Sequence, residues 1–430
     1  MARHEQQTAT VKTHHVSKHD VAAVAIGNSV EFFDFIVYAT FAVMIGKTFF
    51  PSDDEFASLL LSVTAFGLGF VVRPLGAILI GSYADKAGRK PAMLLTMILM
   101  AVGTCGFVIL PGYDTIGYAA PILLVIARLA QGLAWGGEAG PATTFIMEAA
   151  PKDKKALYAS WQIVAQGAAA ITAGTIGFIL SLVLSSEQLS SWGWRIAFAV
   201  GLAILPIAIY LRRHLNETLL KDDRTHNATT KSLLKDVFRN YRALVFIGIF
   251  MLSGSTITQY FLNYMTTYAL TELHFGAQFS MMSTLVVGIG VVVFAIIGGL
   301  CADRFGRNKT IVIPRIILLI TIWPGLYLIN TYHNVIVFFT IITFFTALQN
   351  ISGAGIVVLL CESFPSHVRS TGFSISYALG ITIFGGTAQI IISWLLDFTK
   401  NPLSPAFYLI LTNLFCLAAV FFDNKMKRVR

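Results

Sequence analysis

Gly81-Ser-Tyr-Ala-Asp85-Lys-Ala-Gly88-Arg89-Lys90 has an echo 218 residues later, Asp85 to Asp303, in Gly299-Leu-Cys-Ala-Asp303-Arg-Phe-Gly306-Arg307-Asn-Lys309. Each stretch ends a long apolar run. A second pair keeps nearly the same spacing. Glu148-Ala-Ala-Pro151-Lys-Asp-Lys-Lys155 and Glu362-Ser-Phe-Pro365-Ser-His-Val-Arg369 are offset by 214 residues, Glu148 to Glu362. Two unrelated motifs repeated at nearly one offset mark a duplicated chain, the build of transporters that rock around a central site.

The apolar runs between these motifs set the fold class. A bilayer core of about 30 Å needs about 20 apolar residues per helix. Twelve such runs are read between residues 21 and 423. The expected fold is an all-α integral membrane protein with two pseudo-symmetric six-helix bundles, 21–211 and 243–423. A polar linker, 212–242, joins them. Tails 1–20 and 424–430 flank them. Composition agrees: 56% of the 430 residues are hydrophobic and only 12% charged, against about 25% charged in soluble domains. A soluble enzyme, a disordered chain and a collagen-like fibre are excluded. Cys105, Cys301, Cys361 and Cys416 lie far apart in apolar runs and read as small buried hydrophobes. No apolar leader precedes Asp20, so no cleaved signal peptide is expected.

Charge gives the orientation. With the N-terminus in the cytoplasm, 26 of the 31 Lys and Arg fall in segments on that side, Arg315 among them, and three (Lys47, Arg195, Lys400) on the other. Both termini are therefore expected in the cytoplasm. The net charge of +9 reflects topology and gives no support to nucleic-acid binding.

Ionised groups near mid-bilayer are costly and usually functional. The first half has five: Glu31, Asp34, Arg73, Arg128 and Glu138. The second half has none at comparable depth. At about 1.5 Å per residue, Asp34 and Arg128 come level as an outer pair, with Glu31, Arg73 and Glu138 below them. On the first predicted helix Asn28, Glu31, Asp34 and Tyr38 share a face. On the fourth, Arg128, Gln131, Trp135 and Glu138 do so. A carboxylate that burial pushes up and an arginine pulls down can be switched by moving the arginine. Asp34 is the favoured proton carrier with Arg128 as its switch, and Glu31 and Glu138 are rivals. The competing reading is a static ion-pair network. Arg73 reads either as a bidentate clamp for a substrate carboxylate or as a structural partner of Glu31. Further candidate ligand contacts are Arg128, Asn28, Tyr38 and Gln131, then Gln162 and Gln166, then Thr256, Gln259, Asn263 and Thr266, then Gln349, Asn350 and Tyr377. Asp85, Arg89 and Glu148, with Asp303, Arg307, Glu362 and Arg369, read as cytoplasmic latches between helix ends. A carboxylate there can cap a facing helix N-terminus. His4, His14, His15, His19 and His274 suggest no metal site. No catalytic constellation or nucleotide motif is visible, so neither enzyme nor cofactor is expected.

These residues resemble the major facilitator superfamily, whose loop pattern is G-x-x-x-D-x-x-G-R-K. Within it, Gly27-Asn28-Ser-Val-Glu31-Phe-Phe-Asp34-Phe35, Arg73-Pro74-Leu-Gly76 and Arg128-Leu-Ala-Gln131-Gly132 resemble the metabolite:proton symporters. Gly136-Gly137-Glu138, Ser160-Trp161-Gln162 and Trp192-Gly193-Trp194-Arg195 complete the set. Lys155-Ala156 departs from the usual Arg-Gly, which keeps charge and reduces loop flexibility. The resemblance implies proton-coupled uptake of a small organic solute at a bacterial cytoplasmic (inner) membrane, with no cofactor and a monomeric carrier. It places Asp85 opposite the start of the eleventh helix, near Ser370 and Thr371. Its substrates are carboxylates such as citrate, tricarballylate and oxoglutarate, or zwitterions such as proline and betaine. Two buried arginines favour a di- or tricarboxylate. The short tail 424–430 lacks the long coiled coil of osmosensing members. A proton-coupled efflux antiporter is the weaker alternative, because the fifth predicted helix has glycines but no Gly-Pro motif. A reporter that is active only in the cytoplasm should be active when fused after Arg224 and silent when inserted after Pro51. The reverse pattern would overturn the orientation.

Overall fold

The computed structural model describes residues 18–87, 89–136, 150–151, 153–213, 236–365 and 368–429. Among them every regular element is a helix. The helices used below are α1 (Lys18–Thr40), α2 (Ala42–Phe49), α3 (Glu55–Val71), α4 (Arg73–Ala87), α5 (Arg89–Ile109), α6 (Ala119–Gly136), α7 (Lys155–Val183) and α8 (Trp194–Arg213). They continue with α9 (Arg242–Thr271), α10 (Ala277–Phe305), α11 (Arg307–Tyr332), α12 (Val335–Ser363), α13 (Arg369–Gly380), α14 (Gly386–Thr399) and α15 (Ser404–Val429). Ten helical stretches of the described residues are long and apolar enough to cross a bilayer, or eleven if α1 and α2, bent by 69°, form one span. The third run expected from the sequence is present as α5, whose apolar part is the shorter Leu94–Ile109.

Large apolar side chains cover the outside. Ile78, Val102 and Ile320 are each 60% exposed or more. A soluble monomer does not carry an apolar surface of this extent, and lipid is the solvent that makes it stable. Inside, one buried cluster draws on α1, α2, α3 and α5 to α8, joined by Met281 of α10. Two more are built mostly from α9 to α15.

Contact between the two sets of helices is closest along α7 and α10. A Cβ on Gly174 would lie 2.3 Å from the backbone nitrogen of Leu285, so only glycine permits this approach. At the other end of α7, Asp303 closes the pair. Its carboxylate accepts the backbone N–H groups of Ala156 (3.0 Å) and Leu157 (2.9 Å). These are N-terminal donors without intrahelical partners, and a carboxylate there also meets the positive end of the helix dipole. Elsewhere α3 meets a π-helical turn, Ile381–Gly385, between α13 and α14. Thr382 donates to the Phe70 carbonyl at 3.1 Å.

Arg315 is a correction to the sequence reading, which counted it with the loops. It lies inside α11, fully buried, and donates to Asn413 Oδ1 of α15 at 2.6 Å. The second set of helices thus has a buried cation of its own. Gly174→Val should lower the melting temperature in detergent, since overpacking costs about 1–3 kcal/mol. An unchanged melt would contradict the close α7–α10 packing.

Candidate functional site

Three helices deliver the polar centre. Asp34 projects from α1, Thr104 from α5, and Arg128 with Gln131 from one face of α6. All four are buried. Arg128 Nη1 donates to Gln131 Oε1 at 2.7 Å, and Gln131 Nε2 donates to Asp34 Oδ2 at 3.0 Å. Thr104 Oγ1 also donates to Asp34 Oδ2. The sequence pointed to a direct Asp34–Arg128 pair, but the structure interposes Gln131. Its amide offers one acceptor and one donor, so it can join a guanidinium to a carboxylate. Spacing of three residues puts it beside Arg128 on the helix.

The remaining nitrogens of both arginines face aromatic rings. Among the described residues Arg128 Nε and Nη2 have no hydrogen-bond acceptor, and the polar group facing the Arg73 guanidinium is the Tyr260 hydroxyl. Arg73 Cζ lies 3.6 Å from the ring centroids of both Phe70 and Trp135 and 4.7 Å from that of Phe35. Arg128 Cζ lies 4.6 Å from the same Phe35 ring and 4.4 Å from that of Tyr38. Cation–π contact returns about 0.5–2 kcal/mol, while a desolvated ion costs several kcal/mol. The ring faces therefore offset only part of the cost of burying the two guanidinium groups. The expected Glu31–Arg73–Glu138 cluster falls partly outside the described residues. Arg73 has no carboxylate partner among the described residues, and Glu138 lies outside them. Glu31 is buried.

Beyond the aromatic layer lies a central cavity enclosing about 930 Å³ of space outside atoms, its open mouth included. Phe32, Phe35, Phe66 and Trp135 form one wall. Gln166 of α7 and Thr256, Gln259, Asn263, Gln349, Asn350 and Tyr377 of α9, α12 and α13 form much of the rest. Gln349 donates to the Ser255 carbonyl at 2.8 Å, and Gln259 to Asn263 at 3.3 Å. At one end of α9, Thr266 shares hydrogen bonds of 2.8 Å with Ser283 and with Thr284, and Thr284 lies 3.1 Å from Thr40 of α1. These hydroxyls tie α1, α9 and α10 together.

Seven of the candidate ligand residues named from sequence line this cavity: Gln166, Thr256, Gln259, Asn263, Gln349, Asn350 and Tyr377. Tyr38, Gln131, Gln162, Arg73 and Arg128 do not, and neither does Asn28. Tyr38 donates to the Ser62 carbonyl at 3.0 Å and backs the aromatic layer. The layer stands between the arginines and the cavity, because successive α1 residues Phe32, Phe35 and Ile36 point inward. Sequence reading missed Tyr260, which packs edge-on against Phe66 and Phe70 and lines the cavity. It also missed Thr104. A hydroxyl in an apolar helix gives no signal beyond backbone bonding.

At the helix ends, Arg307 pairs with Asp303 (3.2 Å) and Glu362 (3.5 Å). Arg369 donates to the Phe364 carbonyl at 3.3 Å, so its expected pairing with Glu362 is absent. The side chains of Asp85 and Arg89, together with Glu148, lie outside the described residues.

The sequence pattern of the Major Facilitator Superfamily matches residues 24–383. This chain belongs to that superfamily. It is 35% identical to a citrate-proton symporter of Salmonella typhi over 97% of this chain and 96% of the relative. An alpha-ketoglutarate permease of Escherichia coli K12 is 34% identical (86% and 85% covered). A proline/betaine transporter of the same strain is 29% identical (90% and 80% covered). These relatives place the chain among the metabolite:proton symporters of the superfamily. A crystal structure of a D-xylose-proton symporter superposes with a TM-score of 0.75 at 17% identity, over 94% of this chain and 96% of that one. That likeness establishes the major facilitator fold. Gln131→Leu should cut transport about tenfold or more while the protein still folds, because one unsatisfied buried polar group costs about 1–3 kcal/mol. Unchanged initial uptake rates would remove Gln131 from the network's working part.

Proposed function

We propose that this protein is a secondary active transporter, a symporter that takes up a di- or tricarboxylate such as citrate or tricarballylate together with protons. It would work by alternating access across a bacterial inner membrane. Two six-helix halves, 21–211 and 243–423, would rock about the central cavity, with both termini in the cytoplasm and the carrier acting as a monomer. The observation that carries the reading is the pair of buried guanidinium groups, neither in a direct ion pair among the described residues, behind one wall of a cavity whose other walls are rich in neutral amides and hydroxyls. The citrate-proton symporter relative supports the substrate class.

Each group then has a role. Arg73 clamps a substrate carboxylate once Phe35, Trp135 and Tyr260 yield. A guanidinium with no carboxylate partner among the described residues can bind a substrate carboxylate in bidentate fashion. Gln166, Gln259, Asn263, Gln349 and Asn350 hydrogen-bond the rest of the ligand. Asp34 carries the proton, and Glu31 and Glu138 are secondary candidates. Arg128 governs Asp34 through Gln131: movement of the guanidinium towards an incoming anion takes the amide with it and alters the stability of the Asp34 charge. Asp303, Arg307 and Glu362 form one cytoplasmic latch, with Asp85, Arg89 and Glu148 as its first-half counterpart.

A second reading, uptake of proline or betaine, is favoured by the aromatic wall, since a ring face holds a quaternary ammonium. A panel of labelled citrate, tricarballylate, oxoglutarate, proline and betaine offered to proteoliposomes, with and without an inward proton gradient, separates the readings. Gradient-driven accumulation of a carboxylate is expected. Accumulation of betaine alone selects the second reading, and accumulation of none defeats both. Asp34→Asn should abolish gradient-driven accumulation, and undiminished accumulation would remove Asp34 from the proton role.

A further inference from the structure

Asp34 does not line the central cavity. It lines a separate, smaller one between α1, α5 and α8, together with Glu31. We propose that the proton of Asp34 travels through this second cavity, by way of a water molecule and Glu31, on a route apart from the substrate's. The inference rests on the reading of Asp34 as proton carrier and adds the path by which that proton comes and goes.

The two oxygens of Asp34 have different surroundings. Oδ2 accepts from both Thr104 and Gln131 and is committed to the network of α5 and α6. Oδ1 faces α8 at Gly201, where an added Cβ would lie 2.9 Å from it and 2.9 Å and 3.0 Å from two carbons of the Phe33 ring. The missing side chain at Gly201 is therefore what leaves space at this oxygen. Within the cavity the centre of a water-sized sphere has about 10 Å³ to occupy, close to the room that one water requires.

Glu31 lies three residues before Asp34 on α1, about 4.5 Å lower along the axis, and lines the same space. The polar groups on the wall are Asp34, Glu31 and Thr104, while Met97, Met100, Leu202 and Leu205 enclose it with apolar surface. One water between two carboxylates, fenced by methylenes, has few other places to donate. The lining continues to Gly27 and Leu205, towards the end of the bundle where α1 begins and α8 finishes.

The charged and titratable groups facing Asp34 define what a proton meets there. From α6 comes Arg128, through Gln131. From α1 come Glu31 and Tyr38, whose hydroxyl is spent on the Ser62 carbonyl. From α9 comes Tyr260, on the far side of the aromatic layer. Neither α5 nor α8 presents a titratable side chain to the cavity. The proton on Oδ1 therefore has one acidic neighbour within the cavity, Glu31. In each transfer a proton leaves one carboxyl, passes to the water and is released by the water to the other carboxylate, so charge and atoms balance. A substrate seated in the central cavity does not obstruct this path, and proton exchange can proceed with the ligand bound.

Gly201→Ala places a methyl group against Oδ1 and the edge of the Phe33 ring, neither of which lines the central cavity. In proteoliposomes, gradient-driven accumulation of the carboxylate that the panel identifies should fall roughly tenfold or more. Substrate counterflow at symmetric pH, which needs no net proton movement, should keep its wild-type rate. Leu205→Phe narrows the same cavity from a different position and should give the same split. Accumulation at the wild-type rate in Gly201→Ala overturns the route. Equal loss of accumulation and counterflow in both variants assigns these positions to packing and overturns it as well. Asp34→Asn assayed alongside separates the claims. If that variant fails to accumulate while Gly201→Ala accumulates normally, only the route falls. If Asp34→Asn itself accumulates normally, the proton-carrier reading falls first.

Discussion

The constraint that shapes this molecule is the cost of ionised side chains in a lipid-embedded bundle. Asp34 and Arg128 are buried together, and one glutamine amide makes them compatible. Direct contact would give a tight ion pair that is costly to separate. With Gln131 between them, each ion keeps a hydrogen bond while its remaining valences stay open. On the guanidinium those valences meet rings; on the carboxylate, one oxygen meets a small cavity with mostly apolar walls. A bridged pair is easier to shift than a direct one.

The aromatic layer follows from the same constraint. Phe35 lies within cation–π distance of both Arg73 and Arg128 and also lines the central cavity. One ring thus screens two cations from the solute pathway. Phe70 and Trp135 enclose Arg73 more closely still. The second set of helices answers with amides and hydroxyls, and its own buried cation, Arg315, is turned away towards Asn413 and Thr258. An aromatic wall backed by two arginines thus faces neutral amides and hydroxyls across one cavity. Asp303, which caps α7 at the end of α10, shows how the repeated loop motif joins the two sets of helices at their ends.

Much of this was legible in the sequence. The duplicated loop motifs and the apolar runs pointed to the fold. Helical phase brought Asp34, Arg128 and Gln131 to one place, and the amides of α7, α9 and α12 to the cavity. What escaped reading was tertiary. Phase places Arg128 and Asp34 on facing surfaces but cannot say whether they touch, and Gln131 was read as a ligand group when it is a bridge. Arg315 stands eight residues into α11, beyond the loop to which its charge was assigned. Tyr260 resembles any core aromatic until its packing partners are known. Gly201 has no chemistry of its own and becomes significant only through the carboxylate beside it.

The central claim is that the proton sits on Asp34 while the substrate sits elsewhere. The most direct measurement adds substrate to purified protein in weakly buffered detergent solution and follows bulk pH with an indicator dye. The account predicts that wild-type protein takes up protons as substrate binds and that Asp34→Asn binds substrate with no such uptake. Equal proton uptake by the two proteins would contradict it.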